Sequence, residues 1–243
     1  MNIILTKILK QICRSLPKCR LKTNLKNKLN NNRFMLIKNG KTILNPKIKG
    51  LSVEFTSENG IVILHYPIKK IQNLKIVCGK NSKIEIMDTK KYYIDTTISA
   101  TSENCVKTIG RDTSMNRGCS VICDFEPNRS ITIGDECMFA PEVWMRTSDG
   151  HGVYSTLTKE RLNKSDNIKI GNHVWVLSRC FIAKGAELGD NLIVATNSVV
   201  TKKFNTENAM IGGIPAKLIK SDVAWSRKIF DRMPEDIPNA VSV

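Results

Sequence analysis

Aliphatic residues recur every six positions along the second half of the chain. Ile170, Val176, Ile182, Leu188, Val194 and Val200 are consecutive hits, and Gly171, Ala183, Gly189 and Ala195 are small residues placed directly after four of them. Ile133, Phe139 and Met145 keep the same period, with Ile109, Met115 and Val121 in phase behind them. Between Met145 and Ile170 the phase slips by one residue, which predicts a looped-out segment over 147–168. A period of six fits neither the 3.6 of an α-helix nor the simple alternation of a long strand. It fits a coil of short flat strands in which each aliphatic side chain points inward and the small residue beside it permits a sharp corner. Stacked coils then bury a continuous core. A second inward position falls four residues after each aliphatic, at Val174, Cys180, Ala186, Leu192 and Ser198, most of them small or apolar. The aromatic content of 6% suits a narrow prism with little room for rings.

The rest of the chain reads differently. Ile4, Leu5, Ile8, Leu9, Ile12 and Leu16 follow helical spacing while Lys7, Lys10, Arg14 and Lys18 fall largely elsewhere, predicting a basic amphipathic helix that Pro17 ends. The polar stretch from Asn24 to Asn32 reads as a linker. Residues 33–105 carry short β-rich runs, such as Ile61 to Tyr66 and Ile71 to Val77, in an irregular pattern that leaves open whether they form the first coils. The predicted organisation is a basic segment over 1–32, an irregular β-rich part over 33–105, the coil over 106–218, and a short C-terminal helix and tail over 219–243. The fold class is an all-β solenoid with these flanking helical pieces.

The repeat IGNHVWVLSRCFIAKGAELGDNLIVATNSVVTK (170–202), the closing GGIPAKLIK (212–220) and TSDGHGVY (147–154) together resemble the left-handed parallel β-helix hexapeptide-repeat acyltransferases. The likeness is strongest over 131–225. Within that family it is similar to the branch that O-acetylates sugars of bacterial surface polysaccharides, sialic acid capsules included. The resemblance implies acetyl-CoA as donor, a homotrimer with its sites between subunits, and a coenzyme groove along Ala183, Ala195, Lys202, Pro215 and Lys217. No metal is expected, because metal-binding cousins of this coil have closely spaced ligands whereas His151 and His173 are 22 residues apart. Leu177 in place of Gly, the Thr196 and Asn197 pair in place of small residues, and Ile214 in place of Asn depart from the family pattern.

Acyl transfer to a hydroxyl needs a base available near neutral pH, and His is the side chain suited to that. Of the three His, at 65, 151 and 173, His151 stands where the repeat gives way to the loop, and the resemblance assigns it the role of catalytic base. His65 lies in a β-rich run and reads as structural, while His173 should point outward to solvent or another subunit. Trp175 is large for its place in the repeat. The resembled enzymes have a Trp there, beside the acceptor and donor, where the indole N–H would serve the developing oxyanion; the competing reading is a surface Trp covered by another subunit. Asp149 either orients His151, accepts a sugar hydroxyl, or caps the turn at Gly150. In the loop, Tyr154 and Arg161 are candidate acceptor contacts, Arg161 through a sugar carboxylate. The mechanism expected is direct attack in a ternary complex, with no acyl-cysteine.

Charge adds one question. Of a net +16, residues 1–50 supply +13, with 13 Lys and Arg and no acidic residue. Such a segment attracts an anionic membrane or an acidic polymer, or is simply a solvated face. Nucleic acid is disfavoured because aromatic residues for base stacking are not interleaved. No apolar run reaches the roughly 20 residues of a membrane span, and Lys7 and Lys10 interrupt what would be a signal-peptide core. The chain is therefore expected to be cytoplasmic, with peripheral contact at the inner face of the membrane as one reading of its basic helix. The eight Cys contain no C-x-x-C pair and read as buried, reduced thiols. A serine or amino-sugar acetyltransferase of the same fold is the enzymatic alternative, and a non-catalytic β-helix with a basic arm is the alternative from another class.

Overall fold

The structure, a computed structural model, describes residues 30–233. Ile170 lies in register with Leu188, Val176 with Val194 and Ile182 with Val200, so each coil takes 18 residues and places like upon like. The chain visits three faces in turn. The first is a nine-stranded sheet that runs from Lys41–Leu44 through Arg33–Lys38, Ile61–His65, Lys83–Ile86, Val106–Ile109, Ser130–Ile133, Ile168–Ile170 and Glu187–Leu188 to Lys203–Phe204. The second and third faces share one 13-stranded sheet that turns a corner through the long strands Ile68–Cys78 and Thr89–Ala100. Tyr93 pairs with Met115 on the second face, while Ile98 pairs with Val121 on the third. The second face continues through Met138–Phe139, Trp175–Val176, Ile193–Val194 and Ala209–Gly213, and the third through Trp144–Arg146, Phe181–Ile182 and Val199–Val200.

The inward positions are those the six-residue period marks. Ile170, Val176, Ile182, Leu188, Val194 and Val200 are all buried, as are Val174, Cys180, Ala186, Leu192 and Ser198. Each fully buried Val, Leu or Ile contributes about 1.5–3 kcal/mol, and the register joins them into one core from Phe34 to Ala216. Rings do fit inside: Phe34, Phe55, Tyr93, Phe139 and Phe204 belong to the buried core. Tyr93 and Phe139 flank Met115 on one ladder, where the unbranched Met chain adapts to uneven space. Among the described residues one inward position carries an amine: Lys107, fully buried, lies in register between Ile84 and Ile131, and burial lowers its pKa.

At the corners the backbone enters the left-handed region. Asn31, Asn59, Asn81, Asn104 and Asn128 take φ of 55°, 56°, 51°, 55° and 58° at the corner that leads from the third face to the first. Their amides form a ladder up that edge, Asn31 Nδ2 donating to Asn59 Oδ1, Asn59 Nδ2 to Asn81 Oδ1, and Asn104 Nδ2 to Asn128 Oδ1, each at 3.0–3.1 Å.

The expected C-terminal helix is absent among the described residues. Ala216–Ser221 is instead a strand that folds back antiparallel on Ala209–Gly213, and 222–233 follow without helix. The backbone there pairs with an open sheet edge, and side chains then hold the chain to the prism. Trp225 Nε1 donates to His173 O at 2.8 Å, and the Arg227 guanidinium donates to Ser114 Oγ and to the carbonyls of Asp112, Glu136 and Cys137. The predicted N-terminal amphipathic helix lies outside the described residues. Among those described, no helix is long and apolar enough to cross a membrane.

Candidate active site

After Trp144–Arg146 the chain leaves the third face and rejoins the first at Ile168. The root of this loop is fixed by Asp124, which accepts from Arg146 Nη2 at 2.8 Å and from Ser148 Oγ at 2.7 Å. Asp149 follows, its Oδ2 accepting from Lys184 Nζ at 2.5 Å and from Asn163 Nδ2 at 2.8 Å. The bond from Lys184 holds the Asp149 carboxyl below its usual range despite some burial. Gly150 takes φ +86°, a conformation other residues resist. At Gly152 a Cβ would stand 2.5 Å from the Tyr154 hydroxyl, so the ring of Tyr154 lies across the space that this glycine leaves.

His151 sits between these two glycines and is exposed. Its carbonyl accepts from Asn163 Nδ2 at 2.8 Å, and its ring is tilted 51° to Phe125 with centroids 6.3 Å apart. The imidazole nitrogens make no hydrogen bond among the described residues. Asn163 thus ties Asp149 to the backbone of His151, while the carboxylate itself is engaged by Lys184. Arg161 is likewise engaged: its Nη2 donates to Glu126 Oε1, and Tyr154 bridges to it across the loop. Burial acts to raise the Glu126 carboxyl, but Arg161 and Ser165 outweigh it and hold that group low.

The other predicted residues divide between two edges. Ala183 follows Phe181–Ile182 and Lys202 follows Val199–Val200, so both stack on the edge from which the His151 loop emerges. Lys202 Nζ is exposed and lies 5.3 Å from the centre of the Phe204 ring. Ala195 follows Ile193–Val194 at the edge between the second and third faces, and a Cβ on Gly212 would come within 2.7 Å of its methyl. Pro215, at a cis bond, and Lys217 belong to the hairpin that ends this side of the prism.

Trp175 is half-buried on the second face, whereas the loop that carries His151 leaves the third. Its ring is 5.6 Å from that of Trp225, which stacks on His173 at 4.2 Å and 7°. His173 is therefore covered by its own chain. Its Nδ1 lies 3.1 Å from Asn191 Oδ1, and burial lowers its pKa. His65 pairs with Glu85 at 2.9 Å, a structural contact between neighbouring strands. Sequence reasoning missed Asp124, Lys184 and Trp225. Lys184 carried a signal in its place directly after Ala183 in the repeat, but Asp124 and Trp225 lie outside any motif.

The sequence model described as "Bacterial transferase hexapeptide (six repeats)" matches residues 167–202. The polysialic acid O-acetyltransferase of Escherichia coli O1:K1 / APEC is 35% identical over 119 residues, 49% of this chain and 38% of that protein. The galactoside O-acetyltransferase of Escherichia coli K12 is 34% identical over 112 residues, 46% of this chain and 52% of that protein. The chain thus matches between about two fifths and about half of the length of these relatives. Among solved structures, the polySia-specific acetyltransferase NeuO superposes with a TM-score of 0.67 at 30% identity, over 73% of each chain. The polysialic acid O-acetyltransferase OatWY does so with 0.58 at 25%, over 79% of this chain and 90% of that one. With the parallel faces and the six-residue repeat, these likenesses support a left-handed winding of the coil. The chain belongs to the hexapeptide-repeat acetyltransferases.

Proposed function

We propose that this chain is an O-acetyltransferase that moves an acetyl group from acetyl-CoA to a sugar hydroxyl of a bacterial surface polysaccharide, sialic acid polymers being the favoured class. The observation that carries the reading is His151: an exposed imidazole whose nitrogens have no partner among the described residues, held between two glycines beside the edge of Ala183 and Lys202. Its backbone is anchored and its ring is left to meet a substrate. The likeness to polysialic acid O-acetyltransferases supports both the reaction and the acceptor class.

In the proposed reaction His151 takes the proton of the acceptor hydroxyl as its oxygen attacks the thioester carbonyl. The tetrahedral intermediate collapses by breaking the carbon–sulfur bond, and the proton passes from the imidazolium to the departing sulfur. In a groove between two copies, the small side chains of Ala183 on one prism edge and Ala195 on another let a pantetheine arm lie close to the backbone, and Lys202 and Lys217 meet the phosphates. Tyr154 borders the acceptor, while the commitment of Arg161 to Glu126 favours a part in holding the loop. Asp149 acts through Lys184 and Asn163 to set the course of the backbone at His151.

Trp175 stands on another face from His151, and this supports a homotrimer in which each site takes its His from one copy and its Trp from the next. The indole N–H would then face the developing oxyanion. The deciding experiment assays purified protein with acetyl-CoA and a panel of sialylated and neutral polysaccharides, read by mass. His151→Ala should lower turnover by about 10² or more while coenzyme affinity and assembly persist. Full turnover by His151→Ala ends this reading.

A further inference from the structure

Trp175 stands on the outward side of a two-residue strand, in register with Met138 in the coil before it and Ile193 in the coil after it. An outward ring on so narrow a face has several staggered rotamers open to it. Its indole N–H makes no hydrogen bond among the described residues, and its ring meets that of Trp225, centroids 5.6 Å and planes 39° apart. Trp225 belongs to a segment that the six-residue repeat does not contain. After Ser221 the chain runs along the corner between the first and second faces, crossing the coils of Asn208, His173, Glu136 and Asp112 in turn. Val223 N donates to Asn208 O at 2.9 Å, Trp225 Nε1 to His173 O at 2.8 Å, and the Arg227 guanidinium to the carbonyls of Glu136, Cys137 and Asp112 and to Ser114 Oγ.

Trp225 is itself well fixed. It is 4% exposed, its ring lies flat on His173 at 4.2 Å and 7°, and Arg227 Cζ stands 5.9 Å from its centre. His173 takes φ 50° at the corner two residues before Trp175, so the bond and the stack from Trp225 hold the turn that launches the strand as well as bordering the ring that the strand presents. A buried, hydrogen-bonded aromatic passes its order to a half-buried neighbour, because packed rings exclude one another's alternative rotamers. A donor aimed at a developing oxyanion is worth most when its direction is set before the charge forms. Misplacing such a group by about 1 Å costs on the order of 10² in rate.

We infer that Trp225 is the positioning residue of Trp175, holding the indole in the orientation from which its N–H reaches the developing oxyanion. Trp225 has its own N–H committed to His173 O, so it acts through Trp175 and not on the substrate. Resting on the proposed reading of Trp175 as the oxyanion donor, this assigns the aim of that donor to the segment beyond the repeat. Under the proposed trimer, the C-terminal segment of one copy thereby governs a site whose His151 belongs to the next.

The test uses the full chain labelled with fluorotryptophan, whose three Trp give three fluorine lines assigned by single substitution, together with the acetyl-CoA assay above. Trp225→Leu should broaden or split the Trp175 line, which is single and narrow in the native chain. It should also lower kcat by about tenfold or more with KM for acetyl-CoA unchanged. Trp175→Phe should lower kcat as well, and adding Trp225→Leu to it should cost nothing further, since the residue being aimed has lost its N–H. A part in stability alone predicts instead that the two losses multiply. Trp225→Phe keeps a ring on His173 and loses only the N–H bond, and it should give the same pattern with a smaller loss if the Leu variant does not assemble. A Trp175 line unchanged in width in Trp225→Leu, full turnover in Trp225→Leu or Trp175→Phe, or losses that multiply overturns the inference. A native chain that transfers no acetyl group overturns the proposed function, and the fluorine line alone then decides whether Trp225 sets the indole.

Discussion

At Asn81 the backbone takes φ 51°, a region in which most L side chains crowd the following carbonyl. Asn tolerates it best after Gly, because its short amide can bond locally. Here the amide also works between coils, accepting from Asn59 and donating to Glu103 Oε1 at 3.1 Å. Asn81→Ala should therefore lower unfolding stability by about 1–2 kcal/mol, and Asn81→Gly should lose less than Ala because glycine keeps the φ. Urea unfolding of the two variants checks the order, and Ala at least as stable as Gly would refute the backbone account. This ladder is illegible in the sequence because the repeat shows itself in its aliphatic positions, and the corners accept Asp112, Glu136, His173 and Arg179 as well as Asn. Lys107 is illegible for the same reason, being a lysine in an aliphatic place. By contrast Val174, Cys180 and Leu192 were legible, since burial selects residue type directly.

The loop after Arg146 is held by pairs whose members are far apart in sequence: Asp124 with Arg146, Glu126 with Arg161, and Asp149 with Lys184. Nothing in a local motif points to a lysine one coil onward, so the motif leaves Asp149 to His151, a sugar hydroxyl or the turn. Both Asp149 and Glu126 carry carboxyl groups held below their ordinary values. A folded-state pKa that is depressed gives stability that is present above the unfolded pKa and lost as pH falls through the folded one. The loop should accordingly keep its protection at neutral pH and lose it as pH drops below about 4, ahead of the prism, whose core is aliphatic. Since these pairs are partly exposed, salt should weaken them. Amide hydrogen exchange, corrected for intrinsic rates, reads this peptide by peptide. Simultaneous loss of protection in loop and prism would show that the carboxylates do not govern the loop.

For the whole molecule, the separation of His151 and Trp175 on different parts of one prism has a measurable result. Under the proposed trimer, coexpressed His151→Ala and Trp175→Ala chains form mixed assemblies in which about a quarter of the sites hold both native residues. Activity should return to that fraction although each variant alone is impaired; no recovery in verified mixed trimers would place both residues in one subunit's site or remove Trp175 from the chemistry. The coil itself raises a separate matter. A stack of parallel strands has no natural end, because its terminal rung offers the same unpaired N–H and C=O groups as every rung beneath it. Here one ladder at each end is stopped by a strand reversed in direction, Lys41–Leu44 beside Arg33–Lys38 and Ala216–Ser221 beside Ala209–Gly213, while Lys203–Phe204 and Val199–Val200 end the other two faces in parallel pairing. Cutting the chain after Gly213 removes one of these stoppers and bares the Ala209–Gly213 edge to another molecule. Such a fragment should polymerise lengthwise into filaments, visible by light scattering and dye binding, while the intact chain stays dispersed; a truncated chain that remains dispersed would assign the stopping role elsewhere. The reversed hairpin thus closes the second-face edge of a repeat whose pairing could otherwise continue there.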